Sequence, residues 1–128
     1  MKTLYIVRHG ETDWNKMGKY QGITDVPLNK NGLAQAVACD KALENIQVNR
    51  ILSSDLSRAL VTAESIRGNR SVDIKIDERL RELNFGDWEA LLFSEIEDRW
   101  PGLIDEMYRR PDTVKVPNGE SFKELQDR

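Results

Sequence analysis

Apolar positions cluster in a few short runs. The first of them, Leu4-Tyr5-Ile6-Val7, leads straight into Arg8-His9-Gly10. An unbroken apolar run with β-branched members reads as a strand buried on both faces, as in a parallel sheet. From 11 to 26 the chain turns polar, with Gly18, Gly22 and then Pro27 as breakers, and reads as an ordered loop carrying Trp14, Asn15 and Tyr20. The spacing then becomes helical. Leu33, Ala36, Val37, Leu43 and Ile46 form a stripe on a helix from about Lys30 to Asn45, with Asn29 as its cap. Arg50-Ile51-Leu52-Ser53 reads as a second strand. Ser54 or Asp55 then caps a helix from about Leu56 to Arg67, with the stripe Leu56, Ala59, Leu60, Ala63 and Ile66. Val72 to Ile76 alternates as a third strand.

Two helical pieces follow between Ala90 and Arg110, broken at Trp100-Pro101-Gly102, and 111–118 is extended. Ser121 and Glu124 make a capping box that opens a last helix with Phe122 and Leu125 on its apolar side. The order βαβαβ-then-helices predicts an α/β fold, three layers α/β/α with a mostly parallel sheet and right-handed crossovers. Three strands are few for a sheet covered on both faces, and the last helix stops at Arg128, about two turns in, with no C-cap. The expectation is a single domain over 1–128 that continues beyond residue 128 in the natural protein.

Composition narrows the function classes. Charged residues make up 32% of 128 residues and the net charge is −3, so no global basic surface invites nucleic acid or an anionic membrane. Cys39 is the only cysteine and His9 the only histidine, which excludes an internal disulfide and a structural zinc site within one chain. Cys39, beside an apolar helical stripe and without a basic neighbour, reads as a small packing residue. The four apolar residues after Thr3 are too few for a signal segment or a membrane span, and the cytoplasm is the expected location.

The candidate chemistry lies at the end of the first run. Ligands of open α/β sheets bind outside the carboxyl ends of the strands, where this run delivers His9 between Arg8 and Gly10. Histidine beside arginine suits attack on a phosphoryl group. The imidazole must be neutral, a neighbouring cation favours that form, and arginine forks give donors that do not deprotonate. A leaving oxygen needs a proton from a general acid, and Glu11 and Glu82 are both candidates. Arg58, in the first turn of its helix, is either a solvated residue or shares an anionic ligand with the helix N-terminus.

At this point the chain resembles a known family. Arg8-His9-Gly10-Glu11-Thr12 with Trp14-Asn15 is similar to the signature of the histidine phosphatase superfamily, the phosphoglycerate-mutase-like fold. The match continues at Gln21-Gly22, Asp25-Val26-Pro27-Leu28, Ser53-Ser54-Asp55-Leu56-Ser57-Arg58-Ala59 with Thr62-Ala63-Glu64, Leu80 to Glu89, and Gly119-Glu120-Ser121, in family order. The resemblance implies that His9 is the nucleophile that becomes phosphohistidine, and that Arg8, Asn15 and Arg58 hold the phosphoryl oxygens, with the Gln21-Gly22 backbone close by. It implies that Glu82 protonates the leaving group and then activates water, that 89–116 is the helical insertion shaping the substrate pocket, and that neither metal nor other cofactor is needed.

Three departures from the family pattern stand out. Relatives carry a second catalytic histidine on a later strand, and no histidine follows His9. Losing one such preorganised donor costs on the order of 3 kcal/mol of transition-state stabilisation. In the family that strand also pairs with the first one, so its absence implies an open sheet edge and self-association there. Ala90 stands where many relatives have glycine. The segment from Leu83 to Glu89 looks like the small phosphatase branch rather than the mutases.

Three readings follow from these observations. The first is a phosphatase acting through phosphohistidine on a small phosphorylated metabolite, of which the chain is roughly 60% if the domain has about 200 residues. The second is a phosphoglycerate mutase. The third is a non-catalytic phosphate-binding fragment.

Overall fold

The computed structural model describes residues 3–128. Six helices and two strands run in the order α1 (Asp13–Met17), α2 (Lys30–Ala42), β1 (Ile51–Ser53), α3 (Ser57–Arg67), β2 (Ile74–Ile76), α4 (Phe93–Arg99), α5 (Leu103–Arg109) and α6 (Phe122–Asp127). Single 3₁₀ turns at Glu78–Leu80 and Gly86–Trp88 join β2 to the later helices.

β1 and β2 are parallel, with Ile51 opposite Ile74 and Ser53 opposite Ile76. The α3 helix crosses between them, and α2 packs along α3. Ile51, Ala63 and Ile66 are the buried centre of this layer, with Cys39, Leu43, Val48, Val72 and Ile74 packed around them. Cys39 is therefore a packing residue, as its setting in the sequence indicated. The sheet's other face is bare: Leu52, between buried Ile51 and Ser53, is half exposed.

A second apolar cluster forms from the last third of the chain. Leu83, Trp88, Ile96, Ile104, Met107 and Val116 are all buried, and burying a side chain of this size contributes roughly 1.5–3 kcal/mol. Tyr20 reaches it from the early loop, edge-on to Phe85 and Trp88 at ring distances of 5.2 and 5.8 Å. The break at Trp100-Pro101-Gly102 and the capping box of α6 are as expected, with Ser121 Oγ accepting from Glu124 N–H.

Four expectations need correction. Leu4–Val7 enters no strand ladder and is not buried; Leu4 and Ile6 are 81% and 88% exposed. A strand needs a partner for its backbone groups and a layer for its side chains, and β1 and β2 pair with each other instead. Leu33 and Val37 are half exposed on α2, because the buried face of that helix runs through Gly32, Ala36, Cys39 and Leu43, with Gly32 against the backbone of Glu11. The polar stretch 11–26 contains the helix α1, closed by a capping box between Thr12 and Asn15. Neither Ser54 nor Asp55 caps α3. Ser57 N–H and Oγ–H both donate to Asp25 Oδ1, at 2.8 and 2.7 Å, so the cap arrives from 32 residues away.

The histidine segment is held by backbone packing. A Cβ on Gly10 would stand 2.3 Å from the Gly32 carbonyl oxygen, and one on Gly32 would stand 2.1 Å from that of Glu11. Two glycines facing each other let this segment lie directly on the start of α2.

Ala90 has φ +69°, a left-handed conformation that an L side chain resists by about 1–2 kcal/mol. That strain is the physical meaning of the glycine expected there. Ala90→Gly should raise the unfolding free energy by about 1 kcal/mol, after the extra flexibility of the unfolded chain is deducted. Urea denaturation followed by circular dichroism reads this directly, and a stability unchanged or lowered would refute the strain.

Candidate active site

His9 is fixed from both sides. Its Nδ1 lies 2.6 Å from the Gly10 carbonyl oxygen. A carbonyl only accepts, so Nδ1 carries the proton and Nε2 keeps the lone pair. Gly10 N–H donates to Thr62 Oγ1 at 3.2 Å, and that hydroxyl donates to the Arg58 carbonyl at 2.8 Å. The loop is thereby tied to α3 one turn beyond Arg58. Glu11 N–H adds a bond to Gln35 Oε1 at 2.8 Å.

A cavity of about 230 Å³ opens beside the imidazole, lined by Arg8, His9, Gly10, Glu11, Asn15 and Gln35. Burial lowers the His9 pKa below the usual 6.5, and the charges of Arg58 and Arg8 lower it further. The Gly10 carbonyl and the Glu82 carboxylate pull the other way. His9, Arg8, Arg58 and Glu82 thus share one electrostatic neighbourhood, and neutral imidazole is the favoured form near pH 7.

Asn15 lines the same cavity wall as His9. Its Oδ1 accepts from Thr12 N–H at 3.1 Å. That bond assigns the amide and leaves Nδ2, the donor end, for the cavity. Gln21 is buried behind Thr12, whose hydroxyl lies 2.6 Å from its Oε1. Gly22 turns its carbonyl to Arg58 Nη2, so its contribution is to hold the arginine. Arg58 is 1% exposed, and its Nη1 donates to the Thr24 carbonyl at 2.9 Å. Of the two candidate acids, Glu11 accepts from Asn29 Nδ2 at 2.9 Å, whereas Glu82 is exposed with its Oε1 2.8 Å from Leu83 N–H.

Several supporting residues had no role assigned from the sequence. Thr12 orients the Asn15 and Gln21 amides, and Thr62 anchors Gly10. Arg81 forms a two-pronged pair with Asp55, Nε to Oδ1 at 2.7 Å and Nη2 to Oδ2, which binds the loop before α3 to the segment carrying Glu82. Both partners are about a third exposed, so solvent screens the pair and its value is positional. Thr12 was the legible one of these, because Thr-x-x-Asn ahead of a helical turn is a capping pattern. The others act across 26 to 52 residues and leave no local signal.

With this geometry established, the chain can be set beside known proteins. It is 37% identical over all of its 128 residues to the protein called "Probable phosphoglycerate mutase GpmB" of Salmonella choleraesuis (strain SC-B67), covering 60% of that protein. The chain spans about 60% of the length of the curated relatives it matches. Bacillus stearothermophilus YhfR superposes with a TM-score of 0.85 at 40% identity, over 94% of this chain and 59% of that one. The alpha-ribazole phosphatase of Shigella flexneri gives 0.85 at 29% identity, over 94% and 60%. A mycobacterial glucosyl-3-phosphoglycerate phosphatase in complex with VO3 gives 0.78 at 38%, over 88% and 54%. These likenesses identify the fold as phosphoglycerate-mutase-like, with α/β layering around a parallel sheet. A profile of the histidine phosphatase superfamily (branch 1) matches residues 4–128, and with the RHG segment, the buried arginine and the fold in agreement, the chain belongs to that superfamily.

Proposed function

We propose that the protein hydrolyses phosphate monoesters of small metabolites through a phosphohistidine formed on His9. The observation that carries this reading is His9 itself. It is neutral, its lone pair sits on Nε2, and it lies in a cavity wall with Arg8 and Asn15 and under the charge of Arg58.

In the first step Nε2 bonds to phosphorus while the ester P–O bond breaks, and the Glu82 carboxyl proton passes to the leaving oxygen, releasing an alcohol. In the second step the Glu82 carboxylate takes a proton from water as the water oxygen bonds to phosphorus. The P–N bond breaks, releasing inorganic phosphate and neutral His9. Arg8 and Arg58 balance the charge on the equatorial oxygens and the Asn15 amide donates to them, a task done elsewhere by divalent metal. Among the described residues no helix is long and apolar enough to cross a membrane, and we place the reaction in the cytoplasm, where small phosphorylated metabolites are found.

A second reading, phosphoryl transfer on phosphoglycerate, is favoured by the mutase name of the curated relative. It would show as stimulation by a bisphosphate primer with slow net hydrolysis. The phosphatase reading is preferred because two of the superposed structures bear phosphatase names and because of the segment from Leu83 to Glu89.

Hydrolysis of p-nitrophenyl phosphate by the 128-residue chain should persist in EDTA, at a rate reduced by the lack of a second histidine. His9→Ala should abolish it, and Arg58→Ala should slow it by about 10²–10³-fold. A folded chain that neither turns over nor accepts phosphate on His9 would leave only phosphate binding.

Because the folded-state pKa of His9 is lowered, the acid limb of the rate profile should fall below pH 6.5 and move up in Arg8→Ala. A limb above 6.5 contradicts a neutral nucleophile held by burial. The same shift makes the folded state bind a proton less readily than the unfolded chain, so His9 removes stability as pH drops below 6.5.

The exposed Leu4–Val7 segment supports self-association through an unpaired backbone edge. Sedimentation velocity should show concentration-dependent dimers that Ile6→Lys suppresses. A monomer at all concentrations refutes this association.

A further inference from the structure

The Gly22–Ile23 peptide unit lies between two opposite charges. Its carbonyl oxygen accepts from Arg58 Nη2, and its N–H donates to Glu89 Oε1 at 2.8 Å. A trans peptide points these two groups in opposite directions, so a single planar unit bridges the guanidinium and the carboxylate. One residue on, two separate peptide units reach the same pair of charges. Thr24 N–H donates to Glu89 Oε2 at 2.8 Å, and the Thr24 carbonyl accepts from Arg58 Nη1 at 2.9 Å. Residues 22–24 therefore form a strap with two carbonyls towards the arginine and two N–H groups towards Glu89. A cation at the oxygen and an anion at the N–H polarise the bridging peptide in the same sense, so each bond strengthens the other.

The strap fits tightly at one end. A Cβ on Gly22 would stand 2.2 Å from the Leu83 carbonyl oxygen and 2.7 Å from Glu89 Oε1. Glu89 is itself delivered from a rigid base, because it follows fully buried Trp88, and its neighbours pair with Tyr20 through Ala90 N–H at 3.0 Å and the Leu91 carbonyl at 2.9 Å. Glu89 is not among the residues lining the cavity beside His9.

We propose that Glu89 is the positioning residue for Arg58, gripping the 22–24 strap whose carbonyls hold the guanidinium in its place behind the His9 cavity. The inference rests on the reading of Arg58 as a phosphoryl ligand. Ile23 and Thr24 are exposed, so without the carboxylate their N–H groups turn to water and that end of the strap swings about the wedged Gly22, taking the Thr24 carbonyl away from Arg58. Burial pushes the Arg58 pKa down, and Asp25, Glu82 and Glu89 oppose that shift. Among the carboxylates it is Glu82 whose charge bears on His9.

His9 is the only histidine, so the ring C2–H resonance in a one-dimensional proton NMR titration reports it without assignment. The test compares wild type, Glu89→Gln, Glu89→Asp and Arg58→Ala, each confirmed folded by circular dichroism. Loss of the Arg58 charge from its place raises the His9 midpoint towards 6.5, whereas merely removing a distant anion lowers it. Positioning therefore predicts a raised midpoint in both Glu89 variants, in the direction of Arg58→Ala. Glu89→Asp is decisive, because it keeps the charge and lacks the reach to hold both amides. Calorimetric affinity for orthovanadate should also fall about tenfold in both variants, the loss of one charge-assisted hydrogen bond. A midpoint unmoved or lowered in both, with vanadate affinity intact, overturns the role. Wild type that fails to bind vanadate refutes the phosphoryl-site reading instead, and the titration still decides on Glu89.

Discussion

A buried guanidinium is the constraint around which this chain is arranged. Arg58 is 1% exposed, and a charge removed from water is tolerated only where hydrogen bonds replace its hydration. Here the replacement comes from the backbone carbonyls of Gly22 and Thr24. Carbonyl dipoles stabilise the cation without neutralising it, so its charge remains available to the neighbouring imidazole. A carboxylate pressed directly on the guanidinium would have cancelled the field that adds to burial in lowering the His9 pKa.

That constraint explains why short elements suffice. The α3 helix lacks a cap of its own and takes one from Asp25 at the end of the strap that binds its arginine. One turn further on, Thr62 holds Gly10 and so fixes the loop of His9. The Arg81–Asp55 fork brings the segment of Glu82 to the same helix end. Contacts from Gly10, Gly22, Thr24 and Asp25 thus converge on the start of α3, and the facing glycines at 10 and 32 allow the backbones to meet closely enough for it.

The two apolar clusters divide the labour. The layer of α2, α3 and the parallel pair fixes where Arg58 stands. The cluster around Trp88, with Tyr20 edge-on to it, fixes the turn that carries Glu89 and so the far side of the strap. The cavity lies by the first, and the residues predicted to shape substrate choice lie in the second.

The amino-acid sequence determined the residue chemistry and the local elements. The Asn29 cap of α2, the capping box of α6 and the break at Pro101 all rest on near-neighbour spacing, which a linear reading captures. Tertiary structure decided the rest. Leu4–Val7 reads as a buried strand because its side chains are apolar, but burial depends on what stands opposite, and no partner strand meets it among the described residues. The reach of Glu89 to Ile23, of Asp25 to Ser57 and of Thr62 to Gly10 spans 66, 32 and 52 residues. Hydrogen bonds over such separations depend on how the chain returns upon itself, and residue identity alone does not carry that information.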